Sequence, residues 1–188
     1  MRRSIAVGLL IGAWAIGGAV AAADDKKDEK KARVAMRDDC DPSDRAWTPT
    51  GGCTLKGGDV TSAEFGQFLF STLSHPDPGV IGHSAWRMDP TYLKTEAGET
   101  VKVKNLGGRG HTFTFVQNFG GGFITPLNGD MNEAPECGAA ADHILPPGAS
   151  QEVTGLTVGN HRFQCCIHPW MRILIKVKPD DEEHEHGH

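Results

Sequence analysis

The sequence predicts an all-β fold, an antiparallel sandwich preceded by an extension that carries one short helix. Three observations predict it. Short apolar or alternating runs at 79–86, 91–95, 100–105, 111–116, 150–156, 161–165 and 172–177 have strand length and strand spacing. Turn-forming stretches such as "EAGE", "LGGRG" and "PPGA" separate several of them. In "TVKVKN" the valines fall on one face and the lysines on the other, as in a strand with one wet side.

The elements before the strands follow from composition. Arg2 and Arg3 precede an apolar run rich in Gly and Ala that ends in Ala21-Ala22-Ala23, the pattern of a signal peptide over 1–23 with cleavage after Ala23. Export to the periplasm or the cell exterior is the expected localisation. Residues 24–33, "DDKKDEKKAR", are nearly all charged and read as a disordered linker. Residues 34–78 form the extension: an irregular stretch to Gly58 holding Cys40 and Cys53, then "TSAEFGQFLFSTL". There Thr61 and Glu64 have capping-box spacing, and Phe65, Phe68, Leu69 and Leu73 recur at helical intervals. Strands occupy 79–178. The segment 117–142, with "GGG" and Cys137, is too long for a hairpin and is expected to fold onto the domain or carry function. An acidic tail with alternating histidines fills 179–188.

Charge and cysteines narrow the function classes. After cleavage the chain carries 17 basic and 24 acidic residues, a net −7. With no basic stripe, nucleic acid is excluded as a partner. No membrane attachment is expected after cleavage, and a monomer is expected. In an oxidising compartment cysteines pair or bind metal, and five is an odd number, so one is left over.

The leftover cysteine is found in "QCCIHPWMR". Alternation puts His161, Phe163 and Cys165 on one strand face and Arg162, Gln164 and Cys166 on the other. Phe163 marks the inward face, so Cys165 points in. Met171 returns to the same interior with Ile173 and Ile175, and His168 lies on the turn between. One loop thus gathers a thiolate, an imidazole and a thioether, the donors of a blue-copper site once a second histidine joins them. His111 is the best candidate, since His111, Phe113 and Phe115 alternate inward. His75, His83, His143 and His161 are less well placed. A structural zinc site would want a second Cys or His pair, which the chain does not supply.

Residues 80–178 resemble the cupredoxin family, with a ligand loop similar to that of amicyanin and plastocyanin. The likeness is carried by "AGETVKVKN", "GHTFTF", "LPPGAS" and "GNHRFQCCIHPWM". It implies an eight-stranded Greek-key sandwich and one copper ion that cycles between Cu(I) and Cu(II). The implied ligands are His111, Cys165, His168 and Met171. It also implies single-electron transfer, with the exposed edge of His168 as the electron's exit and a c-type cytochrome or redox enzyme as partner. Enzymatic chemistry is not expected, because Met171 fills the axial place. Copper storage or delivery is the alternative, suggested by the histidines of the tail. Two neighbours of the ligands differ from the family pattern. Thr112 stands where an asparagine often ties the two ligand loops. Ile167 stands where proline is frequent, and its N–H is expected to reach the Cys165 sulfur. Pairing Cys40 with Cys53 would leave Cys137 for Cys166, one of the three connectivities open to four cysteines.

Overall fold

The computed structural model describes residues 32–73 and 82–180. The signal-peptide expectation lies outside these residues, as do the linker apart from Ala32 and Arg33 and the tail apart from Pro179 and Asp180. No helix among the described residues is long and apolar enough to cross a membrane.

Eight strands and one α-helix are present among them: β1 (Arg33–Arg37), α1 (Ser62–Leu73), β2 (Arg87–Asp89), β3 (Tyr92–Glu96), β4 (Val101–Asn105), β5 (Thr114–Val116), β6 (Ser150–Val153), β7 (Gly159–Gln164) and β8 (Arg172–Lys178). They form two four-stranded sheets, ordered β2-β1-β4-β6 and β3-β8-β7-β5. The all-β sandwich is as expected, but it is not purely antiparallel. Strand β1 runs parallel to β4, and β3 runs parallel to β8. A parallel pair cannot be closed by a tight turn, so each joins segments far apart in sequence. Runs of residues reveal strands, not their partners.

The two inner faces make one core. Val101 and Val103 of β4 are fully buried while Lys102 and Lys104 point out, and Ile173, Ile175 and Val177 of β8 meet them from the other sheet. Phe113 stacks on Phe163 with ring centroids 4.5 Å apart. Phe115 keeps the expected inward alternation, opposite Phe163 and against its ring, but on the edge strand β5 it stays 46% exposed. Val116 is buried on the outer face of β5 and β7. The segment 117–142 folds over that face and builds a second small core from Val116, Ala134, Cys137, Ala140 and Cys166. The Cys137–Cys166 disulfide staples it, and buried Gln164 bonds the backbone of Gly120 and Gly121 beneath it.

Two further expectations are corrected. The run 79–86 is not a strand where it is described: Trp86 closes a turn on His83, and pairing begins only at Arg87. The stretch 34–58 is not wholly irregular, since β1 sits between β2 and β4 in the middle of a sheet. Its Val34 and Met36 are core residues, joined there by Cys40, Trp47 and Val60. The Cys40–Cys53 disulfide closes the loop after β1. The helix forms as expected, with the Thr61 hydroxyl accepting from the N–H of Glu64. It lays Phe65 against Trp47 and Trp86.

Candidate metal centre

Strand β7 ends at Gln164 and delivers Cys165 to the end of the sandwich. The turn that follows is closed by its own backbone. The N–H of Cys165 donates to the carbonyl of Met171 (3.0 Å), and the N–H of Met171 donates to that of His168 (2.9 Å). His111 arrives from the other side through a two-bond bridge with Leu145. One donor atom from each of His111, Cys165 and His168 lies within 4.8 Å of the others. The Cys165 Sγ is 3.8 Å from Nδ1 of each histidine. Cys165, His111 and Met171 are completely buried, and His168 nearly so. Cys165 is the one free cysteine among the described residues, and Cys166 turns away into its disulfide.

Of the other histidines, His75 lies outside the described residues. His83 packs among Phe65, Phe68 and Trp86, His143 is exposed, and the His161 ring bonds the carbonyl of Thr157. None of the three joins the cluster.

The neighbours of the donors hold two corrections and one residue that pattern-reading missed. The Cys165 sulfur accepts backbone N–H groups from Thr112 (3.4 Å) and His168 (3.5 Å). The second donor is therefore one residue beyond Ile167, where the expected N–H had been placed. The tight turn closing on Met171 brings the amide of His168 round to the sulfur. The second correction concerns the electron's exit. His168 is only 5% exposed, with Trp170, Trp86 and Phe65 around its ring at centroid distances of 5.5, 6.3 and 6.4 Å. The helix of the extension caps the edge that was expected to be open. Thr112, by contrast, does tie the two loops. Its buried hydroxyl accepts the Cys166 N–H at 2.7 Å, so a threonine fills the place of the asparagine.

The missed residue is Asp38. It follows β1, is 1% exposed, and its Oδ2 lies 2.7 Å from Nε2 of His111. Gly108 and Arg109 donate backbone N–H groups to the same carboxylate at 3.0 and 3.1 Å. A side chain at Gly107 would strike Asp38, and one at Gly108 would strike the Cys40 sulfur, so "LGGRG" is glycine-rich because the loop presses on the segment after β1. Arg109 clamps that segment from outside, bonding Thr50 and the Gly52 carbonyl and stacking on Trp47. A signal for Asp38 did exist: it continues the inward alternation Val34, Met36, Asp38.

The electrostatics follow from these contacts. Burial alone would raise the Asp38 carboxyl, but the His111 bond and charge and the two backbone donors outweigh it and hold it below its ordinary value. Burial likewise opposes charge on His111, yet the bond to Asp38, with Cys165 adding to it, lifts that imidazole to about 9. Cys165 is pushed up by burial and pulled down further by both histidines, ending well below an ordinary thiol. His168 stays below the usual histidine value because burial dominates. Both histidines therefore favour the thiolate form of Cys165 over the thiol. A thiolate, two imidazole Nδ1 atoms and a buried methionine on the same loop are a donor set that fits a copper ion.

An all-β two-sheet sandwich with a buried His-Cys-His group at one end defines a class, and this ligand set resembles that of a cupredoxin. No protein-family model and no curated protein matches the chain. Among solved structures it is similar to a novel purple cupredoxin from Nitrosopumilus maritimus, at 15% identity and a TM-score of 0.39 over 79% of this chain and 100% of that one. A reduced amicyanin variant matches at 20% identity and a TM-score of 0.33, over 48% of this chain and 71% of that one. A reduced Cu(I) amicyanin at pH 4 matches at 22% identity and 0.32, over 47% and 70%.

Proposed function

We propose that the chain is a mononuclear copper protein that carries single electrons between redox partners in the periplasm or outside the cell. The observation that supports this reading is the buried convergence of Cys165 Sγ with Nδ1 of His111 and His168. Copper held there would accept and release one electron at a time, as Cu(II) and Cu(I). Cys165 would supply the thiolate, His111 and His168 the two imidazoles, and Met171 a weak thioether sulfur. The protein's own part is to keep these donors fixed and dry. Two backbone N–H groups temper the sulfur, Thr112 locks one ligand loop to the other, and the aromatic cap excludes water from His168. A site whose donors are all buried leaves small molecules little approach, which favours a carrier over an enzyme. Export, expected from residues 1–23, agrees with two disulfides. A c-type cytochrome is the proposed partner class.

Titrating the reduced, metal-free protein with Cu(II) tests the reading. An intense visible thiolate-to-copper band is expected, absent in Cys165→Ser and retained in Cys166→Ala. A protein that takes up no copper, or that stays coloured without Cys165, would overturn the assignment.

A further inference from the structure

Among the contacts of the site, one has no role in the donor set itself: the buried carboxylate of Asp38 against the far nitrogen of His111. We propose that Asp38 is a positioning residue that presents His111 to copper through Nδ1 and weights the site toward Cu(II). The proposal rests on the copper reading above.

The geometry carries it in three steps. A carboxylate has no proton to give, so at 2.7 Å the His111 Nε2 must be the donor and Asp38 the acceptor. That fixes the tautomer. With Asp38 keeping the Nε2 proton, the proton that leaves when a metal binds is the one on Nδ1, the atom that faces the Cys165 sulfur at 3.8 Å. The carboxylate is itself held, because Oδ1 accepts from Gly108 (3.0 Å) and Oδ2 from Arg109 (3.1 Å). It cannot swing away, and the imidazole cannot rotate without breaking a buried charged bond. Finally, a fixed negative charge one imidazole away from a metal favours the more highly charged ion. Copper in the Cu(II) state meets that charge with one more positive unit than Cu(I) does, so the carboxylate lowers the reduction potential. Partners that orient a ligating histidine in this way commonly matter by about 10- to 100-fold in metal affinity.

An amide cannot replace the acid here. The side chain in Asp38→Asn would offer one acceptor oxygen, whereas Asp38 accepts both from His111 and from the loop backbone. Its NH₂ group must therefore face either the Nε2–H and the Arg109 amide, which share Oδ2, or the Gly108 and Cys40 amides, which share Oδ1. The variant keeps the shape and loses both the charge and one side of the network.

The experiment compares native protein, Asp38→Asn and Arg109→Lys. Each is read for Cu(II) affinity, for reduction potential and for the His111 tautomer by nitrogen-15 NMR of the Cu(I) form. Arg109→Lys loosens the clamp on Thr50 and Gly52 while keeping the positive charge and the Asp38–His111 bond. Asp38→Asn is expected to bind Cu(II) about 10- to 100-fold more weakly, with a raised potential. Arg109→Lys is expected to lose stability alone. Native affinity and potential in Asp38→Asn would overturn the proposal, as would an equal shift in both variants, which would make Asp38 a loop brace only. If Asp38→Asn does not fold, the native Cu(I) form decides: a solvent-protected proton on His111 Nε2 supports the proposal, and a proton on Nδ1 or one in free exchange ends it. A native protein that shows no copper-thiolate band would instead refute the copper reading.

Discussion

Thr112 does two jobs with one residue. Its N–H points at the Cys165 sulfur, and its hydroxyl accepts the N–H of Cys166, so it joins the His111 loop to the Cys165 loop. Thr112→Val keeps the backbone donor and the shape but leaves the Cys166 N–H buried without a partner. Such an orphaned donor costs about 1–3 kcal/mol. Urea unfolding should show that loss, while the copper band survives because the sulfur keeps both its donors. Bleaching of Thr112→Val would mean that the hydroxyl acts on the metal site itself rather than on the join. Ile167→Pro gives the complementary reading. With the sulfur served by Thr112 and His168, removing the Ile167 N–H is expected to leave the reduction potential near its native value. A clear drop in voltammetry would restore Ile167 as a donor to the sulfur.

At the scale of elements, α1 and β1 have roles that their position ahead of the strand-rich region does not suggest. The helix brings Phe65 over His168, Trp86 and Trp170, so it stands between the metal site and solvent. Phe65→Ala should cost about 2–3 kcal/mol, on the low side for such a change because the ring is only partly buried. It should also open His168 and speed electron self-exchange of the copper protein. A stability loss with no change in exchange rate would mean that electrons leave by another face. Strand β1 places Asp38 beside His111. Alternation after Val34 and Met36 turns Asp38 inward, but neither its pairing with His111 nor the aromatic cap was legible from residue patterns, for one physical reason. Local signals such as Lys102 and Lys104 alternating with valines, or Cys165, His168 and Met171 three residues apart, report on what a segment does with its own neighbours. The Asp38–His111 bond spans 73 positions, and a five-residue strand flanked by charges gives little periodicity to read. The ligand loop was legible because its chemistry is local. His111 was legible because the chain after it alternates through Phe113 and Phe115, whose rings both meet Phe163. What lay hidden was the pairing of distant segments, and with it the closed aromatic cap.

For the whole molecule, the metal-free protein should show an uneven dependence of stability on pH, with opposing protons from the two halves of one site. His111 has a folded value of about 9 against an ordinary 6.5, so its stabilisation is complete below pH 6.5 and is lost as pH rises toward 9. Cys165 has a folded value well below its ordinary 9.0, so its stabilisation is complete above 9 and is lost as pH falls through the folded value. Between 6.5 and 9 the folded state holds more protons than the unfolded state at His111, and above its lowered folded value Cys165 holds fewer. The two groups tilt stability in opposite directions, so each offsets the other. Below 6.5 the cancellation ends. His111 is then charged in both states, while Cys165, His168 and His83 all bind protons more readily in the unfolded chain. Asp38 adds to the loss below 3.8, as its depressed folded value requires. Urea unfolding of the metal-free protein should therefore give a shallow dependence on the alkaline side, where the two groups oppose each other, and a fall on the acid side. Cys165→Ser removes one arm of the balance and leaves the Asp38–His111 pair in place, so its stability should decline as pH rises above 6.5. A Cys165→Ser protein as flat as the native one would show that no thiolate and imidazolium face each other in the metal-free site.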